Sequence, residues 1–225
     1  LINVAQVKQI SPFRYPGGKT WLVPQFCQWV SSLPTNPRYL IEPFAGGGII
    51  SLSAAYKNLV EKCIMIEKDE EVAAVWKTVI YDDWRWLADR ILRFNLTPDN
   101  AREIIEKHPM STKEAAFRTI LKNRISHGGI LANGSGFIKS GEKGKGIKSR
   151  WYPETLSKRI EAIAQMKDKL EFHEGDALDY ILQYSECNDT IFFVDPPYTA
   201  SKKNAGKRLY RYLNVDHNKL FNILG

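Results

Sequence analysis

Cysteine is scarce in this sequence and scattered along it. Cys27, Cys63 and Cys187 are the only three in 225 residues. An odd count with no C-x-x-C pair argues against a disulfide framework or a zinc site, and for a reducing cytoplasm. The histidines His108, His127, His173 and His217 show no ligand spacing, so no metal is expected. No apolar run approaches the ~18 residues that would cross a bilayer. The first twelve residues, LINVAQVKQISP, have neither the basic start nor the cleavage site of a secretory leader. Phosphate loops are missing too. RYPGGKT (14–20) looks like the end of a Walker A motif, but Phe13 stands where its first glycine belongs, and no strand precedes it. The G-x-G-x-x-G order of a dinucleotide site does not occur either.

Charge is present but uneven. The formal net charge is +7. KSGEKGKGIKSR (139–150) holds five basic residues and one acid, and SKKNAGKRLYR (201–211) holds five and none. The remainder is close to neutral. A basic surface concentrated on two glycine-bearing stretches suits a polyanion such as nucleic acid.

Apolar periodicity and turn residues predict an α/β chain. TWLVPQFCQWVSSL (20–33) has helical spacing and stops at PTNP, where proline forbids continuation. RYLIEPF is a first strand, AGGGIISLSAAYK a glycine turn into a helix, KCIMIEKD a second strand and EEVAAVWKTVIY a second helix. That order makes a parallel sheet. DWRWLADRIL, TPDNAREIIEKH and STKEAAFRTILKNRI are then helical, the second with Pro98 behind Thr97 and the third with a Ser111-to-Glu114 capping box. PETLSKRIEAIAQM is a further helix. Strands return with LEFHEGD (170–176) and TIFFVDPPY (190–198), and VDHNKLFNILG closes on a helix. The expected division is a catalytic unit of residues 1–82 and 168–225, interrupted by a helical insertion at 83–167.

Two motifs carry chemistry. IEPFAGGG ends a strand on Glu42 and opens a helix on glycines, which let a ligand approach the backbone and leave helix N–H groups free. The next strand ends at Glu67, the position of an acid that hydrogen-bonds ribose hydroxyls in nucleoside-binding sheets. Without the dinucleotide glycine order, a nucleoside cofactor lacking pyrophosphate, such as S-adenosylmethionine, fits better, and in that reading Glu42 helps to hold its cationic amino-acid end. In IFFVDPPY, four apolar residues deliver Asp195 to the carboxyl end of a strand, where open parallel sheets place ligands. Pro196 and Pro197 fix the turn and remove two N–H donors. What remains is the Asp195 carboxylate and the Pro196 carbonyl beside the ring of Tyr198. Such a set of acceptors suits an exocyclic amine on a planar base.

RYPGGKT, EPFAGGG, IEKD, EGDA and DPPY occur in the order of the signature motifs of the Dam-like adenine-N6 DNA methyltransferases, and the chain resembles that family along essentially its whole length. The resemblance implies a Rossmann-like methyltransferase sheet with an inserted helical target-recognition domain. It implies that Tyr15, Gly18 and Lys19 lie beside the methionine end of S-adenosylmethionine. Phe44, Ala45, Gly46 and Gly48 would form the turn beneath it, Glu67 would hold ribose, and Asp176 with Ala177 would contact the cofactor's adenine. Asp195, Pro196, Pro197 and Tyr198 would form the target-base site. LKNRISHGGILANGSG resembles the start of the target-recognition region, which makes Arg124, Ser126, His127, Lys139, Lys143, Lys145, Lys148 and Arg150 candidates for contact with double-stranded DNA, joined by Lys202, Lys203, Lys207 and Arg208. The aromatic, arginine-bearing hairpin of the GATC-specific members is not recognisable, so GATC specificity does not carry over. Only four strands read here against the family's usual seven, so C-terminal strands are expected to be missing. The rival readings are an inactive DNA-binding remnant and an RNA adenine or guanine methyltransferase. A cognate restriction endonuclease is an expected partner.

Overall fold

The structure is a computed structural model, and it describes residues 4–14, 18–131, 136–197 and 215–224. Its sheet has four parallel strands, β1 (Tyr39–Glu42), β2 (Lys62–Glu67), β3 (Leu170–Glu174) and β4 (Thr190–Phe192), in the order β3-β2-β1-β4. These are the four strands the apolar runs predict. The chain moves outward from β1 through β2 to β3, then crosses back to place β4 on the other side of β1. The strand order therefore reverses between β1 and β4, and a crevice opens at their carboxyl ends.

Both faces of the sheet are covered, which explains why the central strands β1 and β2 read as continuous apolar runs, whereas β3 at the edge alternates. Leu40, Cys63 and Met65 face the large core, while Ile41, Ile64 and Ile66 face the opposite side with Tyr180, Tyr184 and Phe192. The large core takes in α1 (Val23–Ser31), α2 (Ile49–Lys57) and α3 (Glu70–Tyr81). It also takes in α4 (Trp84–Arg93), α5 (Pro98–Glu106), α6 (Thr112–Ile125) and α7 (Pro153–Gln165). α6 and α7 pack on α3 and α4, so the helices between the second and third strands share one apolar core with the sheet. Lys122 on α6 pairs with Glu71 on α3 at 3.0 Å.

Helix starts follow the sequence signals. Asp69 accepts the Glu71 N–H at 2.9 Å, and Thr97 accepts that of Asn100 at 3.2 Å ahead of Pro98. Ser111 accepts the Glu114 N–H, but Glu114 reaches back to the Met110 N–H rather than to that of Ser111, one residue beyond a strict capping box. The predicted helix at 20–33 begins as a 3₁₀ turn over Thr20–Leu22. One helix escapes the sequence reading: α8 (Ala177–Tyr184), capped by Asp176, covers the second face of the sheet. The last, α9 (His217–Leu224), packs Leu220 against Leu178 and Ile181 of α8.

Candidate active site

A cavity of about 920 Å³ opens at the carboxyl edge of the sheet. Its floor is the turn from β1 into α2. The Trp76 indole donates to the Gly46 carbonyl at 3.0 Å, and the Ser11 hydroxyl donates to that of Gly47 at 2.6 Å, so the turn is held from two sides. Gly48 takes φ +61°, and a Cβ there would lie 2.5 Å from Met65 Cε and 3.0 Å from the Trp76 ring. A side chain there is strained by the backbone conformation and forces Met65 to shift.

Each strand then delivers an acid to the cavity. Glu42, at the end of β1, is buried and accepts both the Ser51 N–H at 3.0 Å and its hydroxyl at 2.5 Å. It thereby caps α2 from a neighbouring strand. Burial pushes its pKa up to about 7, against the pull of the Ser51 bonds. Folding therefore favours the protonated form, and this contribution to stability is present below the ordinary carboxylate range and lost as pH rises toward 7. Glu42→Gln, a permanent analogue of the protonated acid, is expected to gain thermal stability relative to the wild type between pH 5 and 8. Melting curves across that range check it, and a constant difference would rule it out.

Glu67, at the end of β2, accepts the Gly46 N–H at 2.9 Å through one oxygen and the Lys68 and Asp69 N–H groups through the other. Burial raises its pKa despite these bonds. The spacing that singled it out thus corresponds to a direct bond between acid and glycine turn. Asp176 follows β3, caps α8 through the Leu178 N–H and pairs with Lys68 at 2.8 Å. Burial opposes its charge, but Lys68 and the Leu178 N–H outweigh that and hold its carboxyl below the usual value.

Asp195 follows β4, with Pro196 and Pro197 beside it in the cavity wall. Its Oδ2 pairs with Lys19 Nζ at 2.5 Å, a contact between residues 176 positions apart. The Gly-Gly-Lys motif and the DPPY motif therefore meet. Gly18, Phe44, Ala45 and Ala177 also line the cavity. Tyr15 and Tyr198, with Lys202, Lys203, Lys207 and Arg208, lie outside the described residues.

The candidate DNA contacts divide. His127, Lys139, Lys143, Lys145 and Lys148 are exposed, and Arg150 is partly buried. Their stretch is anchored, since Ile147 and Ser149 are buried and Ile138 donates its N–H to the Ile125 carbonyl at the end of α6. Arg124 and Ser126, unlike the other described candidates, are buried. They are 5% and 1% exposed, Arg124 in the last turn of α6 and Ser126 at its C-terminal cap. Arg124 lines the cavity and donates to the Pro12 carbonyl. Asn123, beside it, accepts the Arg14 N–H and donates to the Arg14 and Gly129 carbonyls. Arg14, Arg159 and Lys68 line the cavity as well and were not singled out from sequence. Arg14 stands within the quoted glycine motif, whereas Arg159 sits in an ordinary amphipathic helix that carries no signal.

A parallel sheet with this strand order, a glycine turn under its carboxyl edge and an acid after each strand is the Rossmann-like arrangement of a methyltransferase. The family model of the D12 class N6 adenine-specific DNA methyltransferases matches residues 15–223, and the chain belongs to that family. It is an enzyme that methylates the N6 amine of adenine in DNA. A search of curated proteins finds no match. Among the described residues no group of three or more His, Cys, Asp or Glu is placed to hold a metal, and no helix is long and apolar enough to cross a membrane.

Proposed function

We propose that the cavity takes S-adenosylmethionine against the glycine turn and a flipped-out adenine beside Asp195, and that residues 83–167 present the DNA. The observation that carries this reading is the meeting of Lys19 and Asp195 at the reversal point of the sheet, within one cavity that also holds Glu42 and Glu67. The donor set fits the cofactor. Carboxylates suit a sulfonium and an ammonium group, Glu67 suits ribose hydroxyls, and Lys19 suits the methionine carboxylate. When bound, S-adenosylmethionine supplies an electrophilic methyl group.

The chain's own residues do the rest. Adenine's amine is a weak nucleophile because its lone pair is delocalised into the ring. Asp195 accepts one of its N–H bonds and the Pro196 carbonyl the other, favouring a pyramidal nitrogen with a localised lone pair. Neither Pro196 nor Pro197 has an N–H to compete for those acceptors. The proton that must leave stays on the Asp195 side of the amine until water takes it. Tyr198 stacks on the base, and extrusion of that base costs a few kcal/mol of unstacking. Lys139, Lys143, Lys145, Lys148, Lys202, Lys203, Lys207 and Arg208 neutralise backbone phosphates, and His127 hydrogen-bonds to the DNA, so binding weakens with salt. The site of action is the cytoplasm, and a cognate restriction endonuclease would cut the same sequence unmethylated.

The test is transfer of labelled methyl from S-adenosylmethionine to unmethylated duplex DNA, with single-molecule sequencing of the product. Modified adenines at one short sequence are the expected result. Label in structured RNA but not in DNA would reject the reading. Lys19→Met is expected to weaken S-adenosylmethionine about tenfold, the effect of one lost charge-assisted bond. Calorimetry in the absence of DNA measures it, and unchanged affinity would remove Lys19 from the cofactor site.

A further inference from the structure

The cavity has a second, opposite chemistry. Arg14, Arg124, Arg150 and Arg159 line it too, and they come from the N-terminal segment, α6, the 3₁₀ turn Gly146–Arg150 and α7 rather than from the sheet. Arg159 donates to the Ser11 carbonyl at 2.9 Å, as Arg124 does to that of Pro12. Arg124 is 5% exposed, yet its Nε is buried with no hydrogen-bond partner among the described residues. Neither Arg124 nor Arg159 belongs to any ion pair among the described residues. Burial, and then the charges of Arg159 and Arg14, push the Arg124 pKa down to about 9, which leaves it cationic at neutral pH.

A buried cation beside other cations is unfavourable unless an anion completes the site. Guanidinium groups are planar forks suited to a phosphate, which can engage two of them at once. We propose that Arg124 and Arg159, with Arg14 and Arg150 beside them, form an internal phosphodiester subsite that takes a backbone phosphate of the extruded nucleotide as its base enters the cavity. The inference rests on the reading of this cavity as the flipped-adenine site. It gives Arg124 a role that its burial denies it on the outer surface. It also makes the arginines a check on extrusion, because a nucleotide still stacked in the duplex does not present its phosphate inside the cavity.

The test uses the whole chain and a duplex bearing the methylated site once that site is mapped. Either phosphodiester flanking the target adenine is replaced by a neutral methylphosphonate, and DNA affinity is measured for the wild type, Arg159→Ala and Arg159→Lys. One of the two replacements is expected to weaken wild-type binding about tenfold, the scale of a charge-assisted contact. Arg159→Ala should weaken the unmodified duplex similarly, and the two changes together should be little worse than either alone. Arg159→Lys should recover part of the loss, and S-adenosylmethionine affinity without DNA should stay within about twofold. Fully additive losses would overturn the proposal, as would wild-type binding indifferent to both replacements, which needs no variant to fold. Loss of S-adenosylmethionine affinity in Arg159→Ala would also overturn it, by giving the arginines to the cofactor's carboxylate. If DNA is methylated at adenine N6 while these couplings are absent, the subsite alone fails. If no methyl reaches DNA, the reading of the cavity fails with it.

Discussion

Asp195→Ala is expected to slow methyl transfer by about 10²–10³ while leaving S-adenosylmethionine binding within a few-fold of the wild type. The carboxylate is one of two acceptors proposed for the target amine, and its interaction strengthens as positive charge develops on the attacking nitrogen. Removing one such preorganised partner typically costs about 10²–10³ in kcat. The amine's other acceptor, a backbone carbonyl, remains in the alanine variant but carries no formal charge. Asp195→Asn separates the two contributions: it keeps a carbonyl acceptor of the same size and loses the charge, so its kcat should fall between alanine and wild type. Lys19 loses its 2.5 Å partner in both variants. Melting curves are therefore run alongside single-turnover methylation, and calorimetry follows the cofactor. Near-normal methylation by a folded Asp195→Ala protein would reject the assignment.

Gly48→Val is expected to lower the melting temperature by about 10 °C. At φ +61° a residue with a Cβ is strained by roughly 1–2 kcal/mol, and a β-branched one by more. The new atoms would also meet Met65 and Trp76, both fully buried, and overpacking of that kind costs about 1–3 kcal/mol. At about 2–4 °C per kcal/mol for a chain of this size, the two effects reach that figure. The cofactor site would suffer too, because Trp76 holds the Gly46 carbonyl and Gly46 holds Glu67. Gly48→Ala should show a smaller loss of the same kind. A Gly48→Val protein that melts with the wild type would mean the turn can change its conformation freely.

Much of this site was legible in the residues. Four strands could be read because the central strands of a sheet covered on both faces need apolar runs, which RYLIEPF and KCIMIEKD supply, TIFFVDPPY carries a further run, and LEFHEGD at the edge alternates apolar and polar residues. Glu67 stood out by its distance from the glycine turn, and Asp195 by the prolines behind it. Caps at Asp69, Thr97 and Ser111 are local bonds spanning two or three residues, so local sequence suffices to specify them. α8 did not stand out, because its eight residues are too few to establish a period.

The sequence by itself therefore determined the four strands, the helices other than α8, the acids at the strand ends and the family, all of which rest on short-range pattern. Tertiary structure alone decided which charges meet. Lys19 and Asp195 are 176 residues apart, and Arg159 and Ser11 are 148 apart. Side-chain direction was likewise a tertiary matter: Arg124 stands among basic candidates in the sequence, yet the packing of α6 on α3 turns it into the cavity. The physical reason is that charge and hydrogen-bonding type belong to a residue, whereas burial and partner belong to the chain's path through space.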